Sequence, residues 1–193
     1  LPLVFGVVVA ALAILLWRNS ASKHGSVAPP ANAPSQMTNE PAAATLPKLT
    51  LSESQRKAVT SLLEISSAIS ASLASDNLTA FNDAAVRLTP ALQQAAEALG
   101  PDHSWTPLLQ KVRETKLHPA GDLREARDEF ISFSALMVEF VKVVRQQDST
   151  SSRLKIYRCP MAPKPGYWMQ LNGPLRNPYF GQEMIDCGSE IAP

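Results

Sequence analysis

Between Leu51 and Val144 apolar residues return at intervals of three and four, and this period constrains the fold more than any other feature of the chain. Such spacing gathers side chains on one face of an α-helix. Ser52, with Gln55 three residues on, has the capping-box spacing that opens a helix. Ala58, Leu62, Ile65, Ile69 and Leu73 then hold one face through about Ser75. Asp76 is placed to cap a second helix, whose face carries Leu78, Phe81, Ala85, Leu88, Leu92 and Leu99. Pro90 has no amide hydrogen to give and crowds the preceding turn, so a kink or break is expected near Thr89. Gly100-Pro101 ends the helix, the glycine serving a left-handed cap and the proline blocking continuation.

A shorter helix is predicted after Ser104, with Pro107 in its first turn and Leu108, Leu109 and Val112 facing in. Asp122 and Glu125 open the last helix. There Leu123, Ala126, Phe130, Phe133, Met137, Phe140 and Val144 repeat over about six turns. Four amphipathic helices with short connections predict a mainly α fold, an antiparallel helical bundle followed by an irregular Cys/Met/aromatic segment. Trp105 and the phenylalanines belong to its core or core edge, as does Met137.

Two segments precede this domain. Residues 1–17, LPLVFGVVVAALAILLW, are uncharged and are followed by Arg18. That length sits at the short end of the roughly 17–25 residues that cross a bilayer as a helix, and Trp17 suits the interface. The reading is a transmembrane anchor over residues 1–18 rather than a cleaved signal, because Trp17-Arg18 is a poor small-residue cleavage site. Residues 19–49 are rich in Pro and Ala and read as a solvated linker in which His24 and Met37 are isolated polar-linker residues. Residues 50–193 then form an exported domain.

The 193 residues carry a formal charge of +1, and no run of Lys and Arg exceeds two. Phosphate binding needs a clustered basic surface, so no nucleic-acid partner is expected. Nor is an enzyme: no His lies at useful spacing from Cys159, and no Gly-rich phosphate loop or paired-carboxylate motif occurs.

The chemistry lies in residues 153–191, where Pro, Gly and aromatic residues replace helix formers around both cysteines and three of the five methionines. Thiolate and thioether sulfurs select Cu(I) and related soft ions. Cys159-Pro160-Met161 puts two sulfurs on one short segment, and Met184 and Cys187, three apart, share a face if that stretch is a helical turn. Together they offer a Cys₂Met₂ set, with Met169 reading instead as strand or packing. The same cysteines can bridge in an oxidising compartment, and closing so long a loop stabilises by roughly 3–4 kcal/mol in the chain-entropy account. A bridged cysteine has no thiolate for a metal, so the two states exclude each other. Spacing alone leans to the bridge, because one pair of cysteines is a weaker metal signal than two CxxC pairs. His103 and His118 read as solvated loop residues. Asn177, Pro178 and Tyr179 read as a turn that supports and shields the site.

The run Tyr157-x-Cys159-Pro160-Met161-Ala162, then Trp168, then Asn177-Pro178-Tyr179-x-Gly181-x-x-Met184-x-x-Cys187-Gly188, resembles the bacterial family called domain of unknown function 3347. The likeness covers roughly residues 51–191. Members occur alone or fused to periplasmic adaptor subunits of copper/silver-type efflux systems. The resemblance therefore implies a single-pass inner-membrane protein with its domain in the periplasm. It also implies metal handling, with a heavy-metal efflux complex or metallochaperone as partner. Many relatives have His just before Cys-Pro-Met, where this chain has Arg158. A neighbouring type of metal-binding segment has His just after it, where this chain has Ala162. Both departures remove a nitrogen ligand and leave Cys159, Met161, Met184 and Cys187 as the matching sulfurs.

Overall fold

The computed structural model describes residues 46–151, 153–164 and 166–191. The expected anchor and most of the expected linker lie outside them. Among the described residues no helix is long and apolar enough to cross a membrane. The period between Leu51 and Val144 becomes four helices: α1 Glu53–Ala74, α2 Leu78–Leu99, α3 Thr106–Glu114 and α4 Leu123–Gln147. Ser52 and Gln55 form the reciprocal capping box at the start of α1. The Asp122 side chain accepts the Glu125 amide at the start of α4.

α1 and α2 have equal length and are joined by only three residues, so they pack as an antiparallel hairpin. Small side chains let them approach closely. Ala84, Ala85, Ala91 and Ala95 are buried on α2, and Ser66, Ser70 and Ser72 are buried on α1. Each of those serines donates its hydroxyl to the carbonyl four residues back, so none of the three hydroxyls is buried without a partner. α3 packs on both α2 and α4, while α4 has its largest interface with the sheet.

Three expectations need correction. Asn77, not Asp76, caps α2, its Oδ1 accepting the Ala80 amide at 2.9 Å. Asp76 instead occupies the left-handed region, at φ 54°, in the tight link between the two helices. α2 also runs through Pro90 without a break. Proline frees the carbonyl four residues earlier, at Val86, and that residue is 61% exposed, on the solvent side of the helix. Thirdly, the tail is not irregular throughout. It forms a three-stranded sheet of β1 Lys155–Arg158, β2 Tyr167–Gln170 and β3 Ser189–Glu190, in the order β2-β1-β3.

The sheet belongs to the same core as the helices. Leu154, Ile156, Tyr157, Trp168 and Met169 join Phe130, Phe133, Met137 and Val141 in one buried cluster. At the other end of α4, fully buried Trp105 donates Nε1–H to Gln147 Oε1 at 2.6 Å. Gln147 in turn donates to the Pro47 carbonyl, and its own carbonyl accepts the Leu49 amide at 3.0 Å. The chain thus enters the domain pinned to the end of α4, with Lys48 Nζ on the Gln146 carbonyl beside it.

Pro90 is exposed, so replacing it leaves the core alone while restoring a helical hydrogen bond. Pro90→Ala is expected to raise unfolding free energy by about 1–3 kcal/mol, read as a higher denaturant midpoint at unchanged slope.

Candidate functional site

β1 is the central strand and sets the site. Its antiparallel pairing with β2 runs from Lys155 opposite Gln170 to Arg158 opposite Tyr167, and the Cys159 amide closes the hairpin on the Gly166 carbonyl at 3.0 Å. On its other edge Tyr157 faces Glu190 and Arg158 faces Ser189. One step further that register sets Cys159 across from Gly188, next to Cys187. The two sulfurs stand 2.8 Å apart. Gly188 makes this approach possible. At φ 143°, a Cβ there would lie 2.8 Å from the Trp168 ring and 3.0 Å from the Arg158 carbonyl oxygen.

Asn177 holds the second cysteine in place. It is fully buried, and all four of its hydrogen-bonding groups are used. Its Nδ2 donates to the Cys187 carbonyl at 2.8 Å, and its Oδ1 accepts the Tyr179 amide at 2.8 Å. Its backbone amide donates to the Ile185 carbonyl at 2.7 Å, and its carbonyl accepts the Gly181 amide. An Asn-Pro-Tyr turn of this kind fixes the Asn side chain inward and frees Tyr179 to reach across the sheet.

Tyr179 donates its hydroxyl to the Tyr167 carbonyl, which also accepts from Ser134 of α4. Its ring meets Phe130 at 5.5 Å and stands edge-on to Trp168 at 6.0 Å, while Tyr157 stacks on the same indole at 5.5 Å. Burial pushes the Tyr179 hydroxyl up to about 12, with the nearby Cys159 adding to the rise.

A buried-edge ion pair locks the turn to the helices. Arg127 of α4 pairs with Asp76 and donates to the Leu73 and Pro178 carbonyls, each at 3.1 Å. Asp76 also accepts the Gln182 amide at 3.0 Å, and Gln182 Nε2 reaches the Ala74 carbonyl. Gly181, at φ 56°, fits here only because it lacks a Cβ, which would collide with the Asp76 carboxylate. Burial acts to raise the Asp76 carboxyl, but the Gln182 amide and Arg127 outweigh it and hold it below the usual range. Neither Asp76 nor Arg127 nor Gln182 stands out in sequence; the spacing after Ser75 points to a helix cap.

The candidate sulfurs are not equivalent. Cys159 is 1% exposed, whereas Cys187 is partly open to solvent. The Cys187 thiol is pushed up first by its hydrogen bond to Cys159, then by burial and by the Cys159 and Asp186 charges. The Met161 backbone amide, bonded to the Cys187 sulfur, pulls the other way. Met161 follows β1 and is 66% exposed. Met184 is half-buried at the end of a 3-10 turn over Gly181–Glu183, and its carbonyl accepts the Cys187 amide at 3.1 Å. A single turn, not a helix, thus joins Met184 to Cys187. Met169 and Met137 are buried in the core.

The remaining candidates are engaged elsewhere. His103 Nδ1 accepts the Trp105 amide at 3.2 Å, and burial lowers its pKa. His118 lies against Glu129. Arg158 sets its guanidinium 5.8 Å over the Tyr167 ring, and Ala162 is buried. Among the described residues no three His, Cys, Asp or Glu side chains converge on one point.

Asn177→Ala leaves the Cys187 carbonyl and the Tyr179 amide without partners, and is expected to cost about 2–4 kcal/mol in denaturant unfolding. Tyr179 predicts a loss at high pH. Its native pKa exceeds the unfolded value, so the native state binds the extra proton and stability falls as pH rises from 10 toward about 12. In protein with the cysteines bridged, Tyr179→Phe should show a smaller fall than wild type over that window. Asp76 acts oppositely: its lowered carboxyl contributes stability above the unfolded pKa of about 3.9 that is lost on acidification. Asp76→Asn is expected to flatten the acid limb of the stability profile.

Comparison with protein-family models, curated proteins and solved structures finds no match to this chain.

Proposed function

We propose that the chain is a membrane-tethered periplasmic module that binds or passes on a soft metal ion of the Cu(I)/Ag(I) type in heavy-metal efflux. The observation that carries this reading is the approach of two cysteine sulfurs to 2.8 Å beside Met161, a long apolar side chain left 66% exposed. A methionine in that position contributes little to packing, while its thioether is a soft ligand within the segment that holds the pair. Two sulfurs each about 2.3 Å from one ion at a tetrahedral angle stand about 3.8 Å apart, so the pair must open by about 1 Å. Cys187 lies just outside β3 and next to a single turn, where such a shift is easiest. The resemblance of the tail to the efflux-associated family supplies the partner class: an efflux adaptor or a metallochaperone.

A second reading is a structural interaction module clipped by a Cys159–Cys187 disulfide and docked on a partner without metal. The close approach of the sulfurs favours it, since loss of two hydrogens closes the bond with little movement of the backbone.

Cu(I) titration of the reduced protein against a chromogenic chelator tests the first reading. The expected result is one ion per chain, with affinity falling at least tenfold in Met161→Leu. Equal affinity in wild type and in a Met161→Leu/Met184→Leu double variant would remove both methionines from the ligand set. Intact mass of protein taken directly from the periplasm decides between the readings. A stable loss of two hydrogens that mild reductants do not reverse would favour the clip.

A further inference from the structure

The two cysteines differ in a way that metal binding does not use. They lie in contact, yet solvent reaches Cys187 and hardly touches Cys159. Cys159 is covered on all sides by structure. It closes the β1–β2 hairpin through Gly166, and it belongs to the same buried cluster as Tyr157, Trp168 and Tyr179. Cys187 follows an exposed Asp186 and leads into an exposed two-residue edge strand. Thiol–disulfide exchange requires in-line access to the attacked sulfur, so access selects one of the two.

We propose that Cys187 is a site of mixed-disulfide formation with small thiols, and that Cys159 is its resolving cysteine. In the oxidative direction the Cys187 thiolate attacks a disulfide R–S–S–R. A bond forms between Cys187 Sγ and one RS sulfur, and the other leaves as RS⁻. The Cys159 thiolate then attacks Cys187 Sγ, the internal S–S bond forms, and the second RS⁻ leaves. Two protein thiols are oxidised, one external disulfide is reduced to two thiols, and the protons pass to solvent. In the reductive direction RS⁻ attacks Cys187 Sγ, the internal bond breaks, and its electron pair leaves on Cys159 Sγ. By microscopic reversibility both directions pass through the same adduct, carried on Cys187. Because the partner sulfur is already 2.8 Å away, the adduct on wild-type protein is short-lived. This chemistry needs the thiol pair and no metal, so its success or failure is separate from that of the metal reading.

The full chain, reduced and metal-free, is incubated with glutathione disulfide and followed by intact mass. Cys159→Ser, which keeps Cys187, is expected to gain one glutathionyl group and hold it. Cys187→Ser, which keeps Cys159, is expected to react at least about tenfold more slowly, because its thiol is buried. Wild type is expected to lose two hydrogens with no lasting adduct. Should either substitution unfold the domain, wild type alone decides. Oxidised wild type is mixed with reduced glutathione, quenched with an alkylating agent and digested. Glutathione on the Cys187 peptide with alkyl on the Cys159 peptide supports the assignment. Glutathione on Cys159, or shared equally between the two, overturns it, as does equal labelling of the two single variants.

Discussion

The arrangement of the tail rests on the side chain of Asn177. A primary amide buried without partners costs several kcal/mol, so a fully buried asparagine persists only where its surroundings satisfy it. Here the Tyr179 amide and the Cys187 carbonyl satisfy the side chain, while the Asn177 backbone bonds to Ile185 and Gly181. The amide therefore does for this stretch what a sheet ladder does elsewhere: it fixes the path of the chain from the Asn-Pro-Tyr turn back to β3. With the path fixed, the antiparallel register on β1 leaves Cys187 no choice of neighbour other than Cys159.

The tail is not an appendage to a helical body. Its turn is clamped by Asp76 and Arg127, which come from the α1–α2 link and from α4 and are distant in sequence. Its aromatic residues complete the apolar surface of α4, with Tyr179 against Phe130 and Ser134 bonded to the β2 end. The helices thus form a platform whose last face is covered by the segment that holds both cysteines. Loosening that segment exposes Trp168, Tyr157 and part of α4 together, so local freedom at the cysteines is limited by the stability of the common core.

The helices were legible in the sequence because their period, caps and stops agree. Ser52 with Gln55, Asp122 with Glu125 and the phenylalanine spacing of α4 all act within four residues, where sequence distance is spatial distance. The errors lie where a residue's role depends on something remote. Asp76 has the composition of a cap, but its φ and its pairing with Arg127 belong to the tertiary structure. Pro90 has the composition of a helix stop, and the exposure of Val86, whose carbonyl it frees, is not written in the residues around it. Met169 hinted at β2 as strand or packing, but β1 and β3 are only four and two residues long and carry no alternation to read. The candidate cysteines were identifiable by type. Their contact, the burial difference between them and the bonds that Asn177 makes required the register of three strands.

The attachment of Leu49 and Pro47 to the end of α4 has a mechanical consequence. Tension arriving along the chain ahead of the domain is borne first by the Leu49–Gln147 and Pro47–Gln147 hydrogen bonds, backed by the Trp105 indole. These lie at the opposite end of α4 from Arg127, which holds the turn near the cysteines. Strain on the entering chain would therefore meet these bonds before it reached the turn that holds Cys187.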